Sequence, residues 1–180
     1  GFITGHAYDP GHKALVLSTH LGDIIRSSDG GLRWRVDKAS AQIYVTDVHY
    51  DAASAALILN AHQGLVARSV DGGVNWAVTK IANTPNFDAV LLDPARGLML
   101  GAGEGGLLYA SPDRGLSWRL LTPQLSEYMN TVIPAADGSA LLASGNVGFL
   151  IRSQDAGQRW SQVPVEWRQP MVPANILSLI

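Results

Sequence analysis

The chain has 180 residues, 47% of them hydrophobic and 16% charged, which is enough apolar content for a folded core and excludes a disordered polymer. A formal charge of −2 without any basic run supplies no cationic field for nucleic acid or an anionic membrane. Cysteine is absent, which removes both a disulfide framework and a thiolate zinc site, and no apolar run approaches the roughly 20 residues of a membrane helix. A soluble chain without membrane insertion is expected, and its start at Gly1 in place of Met is consistent with a leader, a tag or a larger parent in front of it.

From the N-terminus the apolar runs are short and punctuated. FITGHAY (2–8) is followed by DPGHK, ALVLST (14–19), HLGD, IIRS (24–27), SSDGGLRW (27–34) and WRV (34–36). Each apolar run has the length of a strand and not of a helix, and the Asp, Pro and Gly between them supply turn dihedrals. The reading is four antiparallel strands joined by tight connections. The stretch SSDGGLRW then returns as SVDGGVNW from Ser69, SPDRGLSW from Ser111 and SQDAGQRW from Ser153, at a constant interval of 42 residues. Gly22, Gly64, Gly106 and Gly148 keep the same interval, as do Asp9, Asp51 and Asp93. A period of roughly 40 to 45 residues is that of one propeller blade. The predicted fold class is therefore all-β, a β-propeller of four-stranded antiparallel blades in one domain or propeller fragment. The blades fall at about 2–43, 44–85, 86–127 and 128–169, with a tail at 170–180 that reads as the first strand of a fifth blade or as a closing strand. No segment sustains a helical period, and PQLSEYMN (123–130) amounts to one turn at most.

The repeated box answers one geometric need. Between the third and fourth strands a hydroxyl and a carboxylate accept turn N–H groups, a glycine supplies a positive φ, and an indole folds back to pack the blade. These roles go to Ser27, Asp29, Gly31 and Trp34, to Ser69, Asp71, Gly73 and Trp76, to Ser111, Asp113, Gly115 and Trp118, and to Ser153, Asp155, Gly157 and Trp160. A calcium loop of the EF-hand type is excluded, since the twelfth residue from Asp29 is Ser40 and not a glutamate. Indoles present in every copy serve what every blade needs, which is packing. Trp167 stands outside the register and reads as a cap, with partner contact as the alternative. The box resembles the Asp-box, or bacterial neuraminidase repeat, of form Ser-x-Asp-x-Gly-x-Thr-Trp, with Thr replaced here by Arg33, Asn75, Ser117 and Arg159.

That resemblance admits sialidases and other glycoside hydrolases. For a sialidase it implies an arginine triad, a tyrosine assisted by a glutamate, and an acid aspartate converging near the axis. Arg26, Arg68 and Arg152 occupy equal places in separate blades and cannot converge, and Ala110 stands at the fourth place; they read as residues of an inter-blade surface. The glutamates are Glu104, Glu127 and Glu166, and Glu127 with Tyr128 would face opposite sides of a strand. GAGEGG (101–106) lacks the following helix and Lys-Ser/Thr of a phosphate loop, and no nucleophile elbow is present. No catalytic, cofactor or metal residues are assigned.

A further set stands two residues before each repeated glycine: His20, His62, Glu104 and Asn146. These turns between second and third strands share a face with the connections between blades, where propeller ligands dock. Their side chains include ligand types for zinc or iron, but turns on neighbouring blades are too far apart to share one ion, so they read as a polar binding rim. His6 and His49, on innermost strands, line a channel or are satisfied core residues.

The stretches GDIIRSSDGGLRW and GLVARSVDGGVNW resemble the photosystem II assembly and stability factor family more closely than the sialidases. The resemblance implies a non-catalytic propeller that binds a protein partner, a membrane-protein assembly, on the extracytoplasmic (periplasmic or secreted) side. A sialidase-like hydrolase or carbohydrate-binding propeller is the runner-up. Members of that family have roughly seven blades against four here, which leaves three readings: a fragment, a small ring, or a half-ring completed by a second copy. An open arc would leave an apolar blade face and free strand edges in water, so a homo-oligomer is expected.

Overall fold

The computed structural model describes residues 1–38, 43–81, 86–93, 96–121 and 128–166; Glu127, Trp167 and the tail 170–180 lie outside them. The strands are β1 (Ile3–Asp9), β2 (Ala14–Thr19), β3 (Asp23–Ser27), β4 (Arg35–Lys38), β5 (Val45–Asp51), β6 (Ala56–Ala61), β7 (Leu65–Ser69), β8 (Ala77–Lys80), β9 (Phe87–Asp93), β10 (Leu98–Gly103), β11 (Leu107–Ser111), β12 (Arg119–Leu120), β13 (Met129–Pro134), β14 (Leu141–Gly145), β15 (Leu150–Ser153) and β16 (Ser161–Gln162). Each consecutive four form one antiparallel meander, β1-β2-β3-β4 being the first. Among the described residues there is no α-helix, only two 3-10 turns, and no helix long and apolar enough to cross a membrane. Of PQLSEYMN, Met129 and Asn130 begin β13, where Met129 pairs with Gly145 and is buried, while 123–127 lie outside the described residues.

Cross-strand partners share a sheet face, so register decides which side chains meet. In the first sheet His6, Leu17, Ile25 and Val36 lie on one face, with Tyr8 and Leu15 beside them. Ala7, Val16 and Arg26, with Ser18 and Ile24, occupy the other. The chain divides into two compact units, Gly1–Phe87 and Asp88–Ile180. In the first unit Ala14, Val16 and Ile24 pack on Val45, Val48, Leu57, Leu59 and Ala67 of the second sheet. In the second unit Leu100, Leu108 and Ala110 pack on Val132, Leu141, Ala143 and Ile151 of the fourth sheet. Burial of each Val, Leu or Ile is worth about 1.5–3 kcal/mol, so sheet-on-sheet packing is the main stabilising term in each unit. At Gly5 β1 comes close to β5: a Cβ there would meet Val48 N and fall 2.8 Å from the Cα of Asp47.

The recurring aspartates stand at the β1–β2, β5–β6 and β9–β10 turns and are all buried. Asp9 accepts the Gly11 N–H at 2.9 Å and pairs with His12 Nδ1 at 2.8 Å. Asp51 accepts the Ala53 N–H at 3.1 Å and the Ser54 hydroxyl, and Asp93 accepts Arg96 Nη1 at 2.6 Å. A carboxylate so placed satisfies turn donors that the ladder leaves over.

Candidate functional site

Each box closes upon its own hairpin. The Ser27 hydroxyl donates to Asp29 Oδ1 at 2.9 Å and accepts the Gly31 N–H at 2.9 Å. Asp29 Oδ1 also accepts the Arg33 N–H at 2.9 Å, and Trp34 Nε1 donates to the Gly31 carbonyl at 3.0 Å. The same four bonds link Ser69, Asp71, Gly73, Asn75 and Trp76 at 2.8, 2.9, 2.9 and 3.1 Å. They link Ser111, Asp113, Gly115, Ser117 and Trp118 at 2.8, 2.7, 2.7 and 3.2 Å. In the fourth box Ser153, Asp155, Gly157, Arg159 and Trp160 make them at 2.9, 2.9, 2.8 and 3.1 Å.

The position that varies among copies contributes its backbone N–H, which every residue has. Three of its side chains add a second bond: Asn75 Nδ2 to Asp71 at 2.7 Å, the Ser117 hydroxyl to Asp113 at 2.5 Å and Arg159 Nε to Asp155 at 2.8 Å. These donors favour the ionised carboxyl. The Asn75 N–H leads in drawing Asp71 down to about 2, and the Arg159 guanidinium draws Asp155 to about 2. Asp29 is lowered chiefly by the Arg33 N–H. At Asp113 burial pushes upward, and the bonds from Ser117 and Ser111 outweigh it. Each box carboxylate is an anion engaged by its own turn, and each indole is tied to its own hairpin.

The pre-box arginines stand in different sheets. Arg26 Nη2 meets Asp37 at 2.7 Å, Arg68 Nη2 donates to the Ser54 carbonyl at 3.4 Å, and Arg152 lies on β15. An apolar cavity of about 330 Å³ lies in the first unit, walled by Leu59, Leu65, Val78 and Trp76, with Asp37 and Asn75 at its edge. Both polar groups already have partners, Arg26 and Asp71.

The rim positions fall in the turns after β2 and β6 and in the 3-10 turns Glu104–Gly106 and Asn146–Gly148. His20 and His62 are not alone there. The Phe2 ring stacks on His20 with centroids 4.0 Å apart and 9° between planes. Tyr44 stacks on His62 at 4.4 Å and 17°, and His20 adjoins Tyr44 at 5.9 Å with a 58° tilt. The result is a row of four rings, Phe2–His20–Tyr44–His62, running across two blades. It continues to Asn86, which bridges to His62 and accepts the Gln63 N–H at 3.2 Å.

Backbone pairing sets the row: the residue entering each blade meets the turn between the second and third strands. His20 N–H donates to the Phe2 carbonyl at 3.2 Å, His62 N–H to Tyr44 at 2.9 Å and Asn146 N–H to Tyr128 at 3.1 Å. The Phe2 N–H also donates to His20 Nδ1 at 3.0 Å. Phe2 is 58% and Tyr44 38% exposed, so the row borders solvent. In the second unit the rim is more polar, and Asn130 Nδ2 donates to Asn146 Oδ1 at 3.3 Å. Sequence reasoning found the histidines and missed Phe2 and Tyr44. The signal was there, since Phe2, Tyr44 and Tyr128 recur in the 42-residue register. Tyr44 stands between the two imidazoles, and among the described residues no three His, Asp or Glu side chains group as ligands of one ion.

On β1 His6 is exposed, while on β5 both ring nitrogens of His49 are buried without a hydrogen-bond partner among the described residues. His49 is thus not the satisfied core residue that one of the two readings supposed. Burial pushes its pKa down to about 4, with Asp51 pulling the other way, and burial raises neighbouring Asp47.

No family model matches the chain, and no curated protein matches it. Among solved structures it is similar to YCF48 bound to a D1 peptide, at 14% identity and a TM-score of 0.67, covering 89% of this chain and 54% of that one. It is similar to YCF48 from Cyanidioschyzon merolae at 17% identity and 0.67, covering 92% and 57%, and to an ancestral GH74 enzyme at 16% and 0.72, covering 89% and 25%. The chain spans about half the length of the YCF48 chains and a quarter of the GH74 chain. At these identities the likeness establishes the fold, an all-β propeller architecture of four four-stranded blades.

Proposed function

We propose that the chain is a non-enzymatic propeller module of the photosystem II assembly and stability factor type, which binds a protein partner through its rim. The row Phe2–His20–Tyr44–His62, exposed at Phe2 and Tyr44, carries the reading. Stacked rings present a large apolar area with little rotamer freedom left to lose, which is the character of interface anchors. Support also comes from a neighbour, since YCF48 is a propeller bound to a D1 peptide. In this reading the boxes are Asp-box staples of the hairpins, and their carboxylates are already engaged by their own turns. Glu104 and Asn146 supply polar contacts, and the partner belongs to a membrane-protein assembly met on the extracytoplasmic side.

The test is fluorescence-polarisation titration of the chain against loop peptides from the host's membrane proteins. A bound peptide is expected whose affinity drops about tenfold, or 1.4 kcal/mol, in Tyr44→Ala and again in His62→Ala, with the melting profile retained. Binding that ignores both substitutions would overturn the rim. A glycoside hydrolase or carbohydrate-binding propeller is the second reading, supported by likeness to the GH74 fold. Turnover of any member of a glycoside panel would replace the first reading with it.

A further inference from the structure

The contact between the first and second sheets and that between the third and fourth use the same register positions and fill them differently. In the second unit Leu121, Met129 and Ile151 are buried in one core, with Phe149 and Trp160 packed against it. Two periods earlier the same places belong, in that order, to Asp37, Val45, Ala67, Leu65 and Trp76. Methionine, isoleucine and phenylalanine have given way to smaller side chains, and a leucine to a carboxylate. All five of these residues line the cavity of about 330 Å³ in the first unit. Leu59 against Ala143 is the opposite change, yet Leu59 itself stands on the cavity wall and does not close it. Ala67 is the plainest case, since Ile25, Tyr109 and Ile151 hold its place in the other three sheets. Nothing in the repeat asks for an alanine there.

The lining decides what fits. Val45, Leu59, Leu65 and Ala67 present only hydrocarbon, and the Trp76 Nε1–H is already given to the Gly73 carbonyl at 3.1 Å. At the edge Asp37 is held by Arg26 Nε at 3.0 Å and Nη2 at 2.7 Å, and Asn75 Nδ2 is given to Asp71 at 2.7 Å. Among the described residues the lining therefore offers no uncompensated charge, and an ion entering it would lose hydration without a counter-ion. Val74 and Val78, 55% and 62% exposed, stand on the outer side, so the cavity is reached from solvent there. An apolar cavity of about 150 Å³ takes one benzene ring, and this one has about twice that volume. Filling it restores the dispersion contacts that an empty apolar space forfeits.

From this we infer that the first unit binds a small neutral apolar molecule, of the size of two fused rings, between its two sheets and against Ala67 and Trp76. The site is separate from the ring row, and the inference does not depend on the rim reading.

Indole, neutral and of two fused rings, tests it by proton–carbon methyl NMR. Saturable shifts are expected at Val45, Leu59, Leu65 and Ala67, with Val132, Leu141 and Ile151 of the second unit unmoved. Ala67→Ile, which restores the side chain that the first and fourth sheets carry at this place, is expected to fold with an unchanged or higher melting midpoint and to lose those shifts. Should Ala67→Ile fail to fold, Val45→Met, after the residue of the fourth sheet, takes its place. Indole-3-carboxylate, the same rings with a charge, is expected to bind weaker by about tenfold or more. Shifts that do not saturate up to the solubility of indole, equal shifts in both units, binding retained in the filled variant, or equal affinity for the carboxylate would each overturn the inference.

Discussion

His49 lies on β5 with both ring nitrogens buried and unpartnered among the described residues. An imidazole there keeps its neutral form, because charging it without solvent or a partner is unfavourable. The unfolded chain takes up this proton below about 6.5, and the folded chain only near 4. Acidification through that window therefore favours the unfolded state, by on the order of 3 kcal/mol at its lower end. Denaturation of the wild type is expected to show stability falling from pH 6.5 to 4, with the fall largely removed in His49→Leu; an equal slope in both would refute it. Below that window Asp71 and Asp155 add a second loss. Their folded values near 2 lie under the ordinary 3.8, so the stability they confer is present above 3.8 and disappears as pH falls towards 2. The sequence placed His49 on an innermost strand but not in a site without partners, because that depends on what packs around the ring.

At the scale of the hairpin, the box glycine combines two demands. Gly31 and Gly73 both have positive φ, 90° and 83°, so an alanine is strained at either. Only at Gly73 would the new Cβ also press on Arg26 of the neighbouring sheet. Gly73→Ala is expected to cost about 1–3 kcal/mol more than Gly31→Ala in urea denaturation of dilute protein. Equal costs would mean that the sheet-to-sheet contact contributes nothing there. The box was legible as a hairpin device because each of its residue types has a local partner within a few positions. The ring row was half legible. His20 and His62 stand out as titratable residues, whereas Phe2 and Tyr44 read as ordinary apolar strand entries until backbone pairing brings residues 18 positions apart into contact.

Among the described residues, one core is centred on Val48 and Leu57 and another on Val132 and Leu141. In stacked repeats a side chain acts mainly on its neighbours. Leu57→Ala and Leu141→Ala are each expected to cost about 2–5 kcal/mol. Hydrogen exchange should report the first mainly in amides of Gly1–Phe87 and the second mainly in Asp88–Ile180; uniform loss across all four sheets would show one indivisible cooperative unit. The fold was readable because a constant period repeats the same hairpins four times. Function was far less readable, since identical staples in every blade say what holds the sheets and nothing of what they hold.

Among the described residues every sheet is woven from four successive strands. Growth or shrinkage by one whole period leaves every remaining ladder with its own partners. A single residue inserted within a strand turns all later side chains of that strand to the opposite face. Length in this polypeptide is thus free to change in steps of 42 residues, whereas inside a strand a change of one residue is not tolerated.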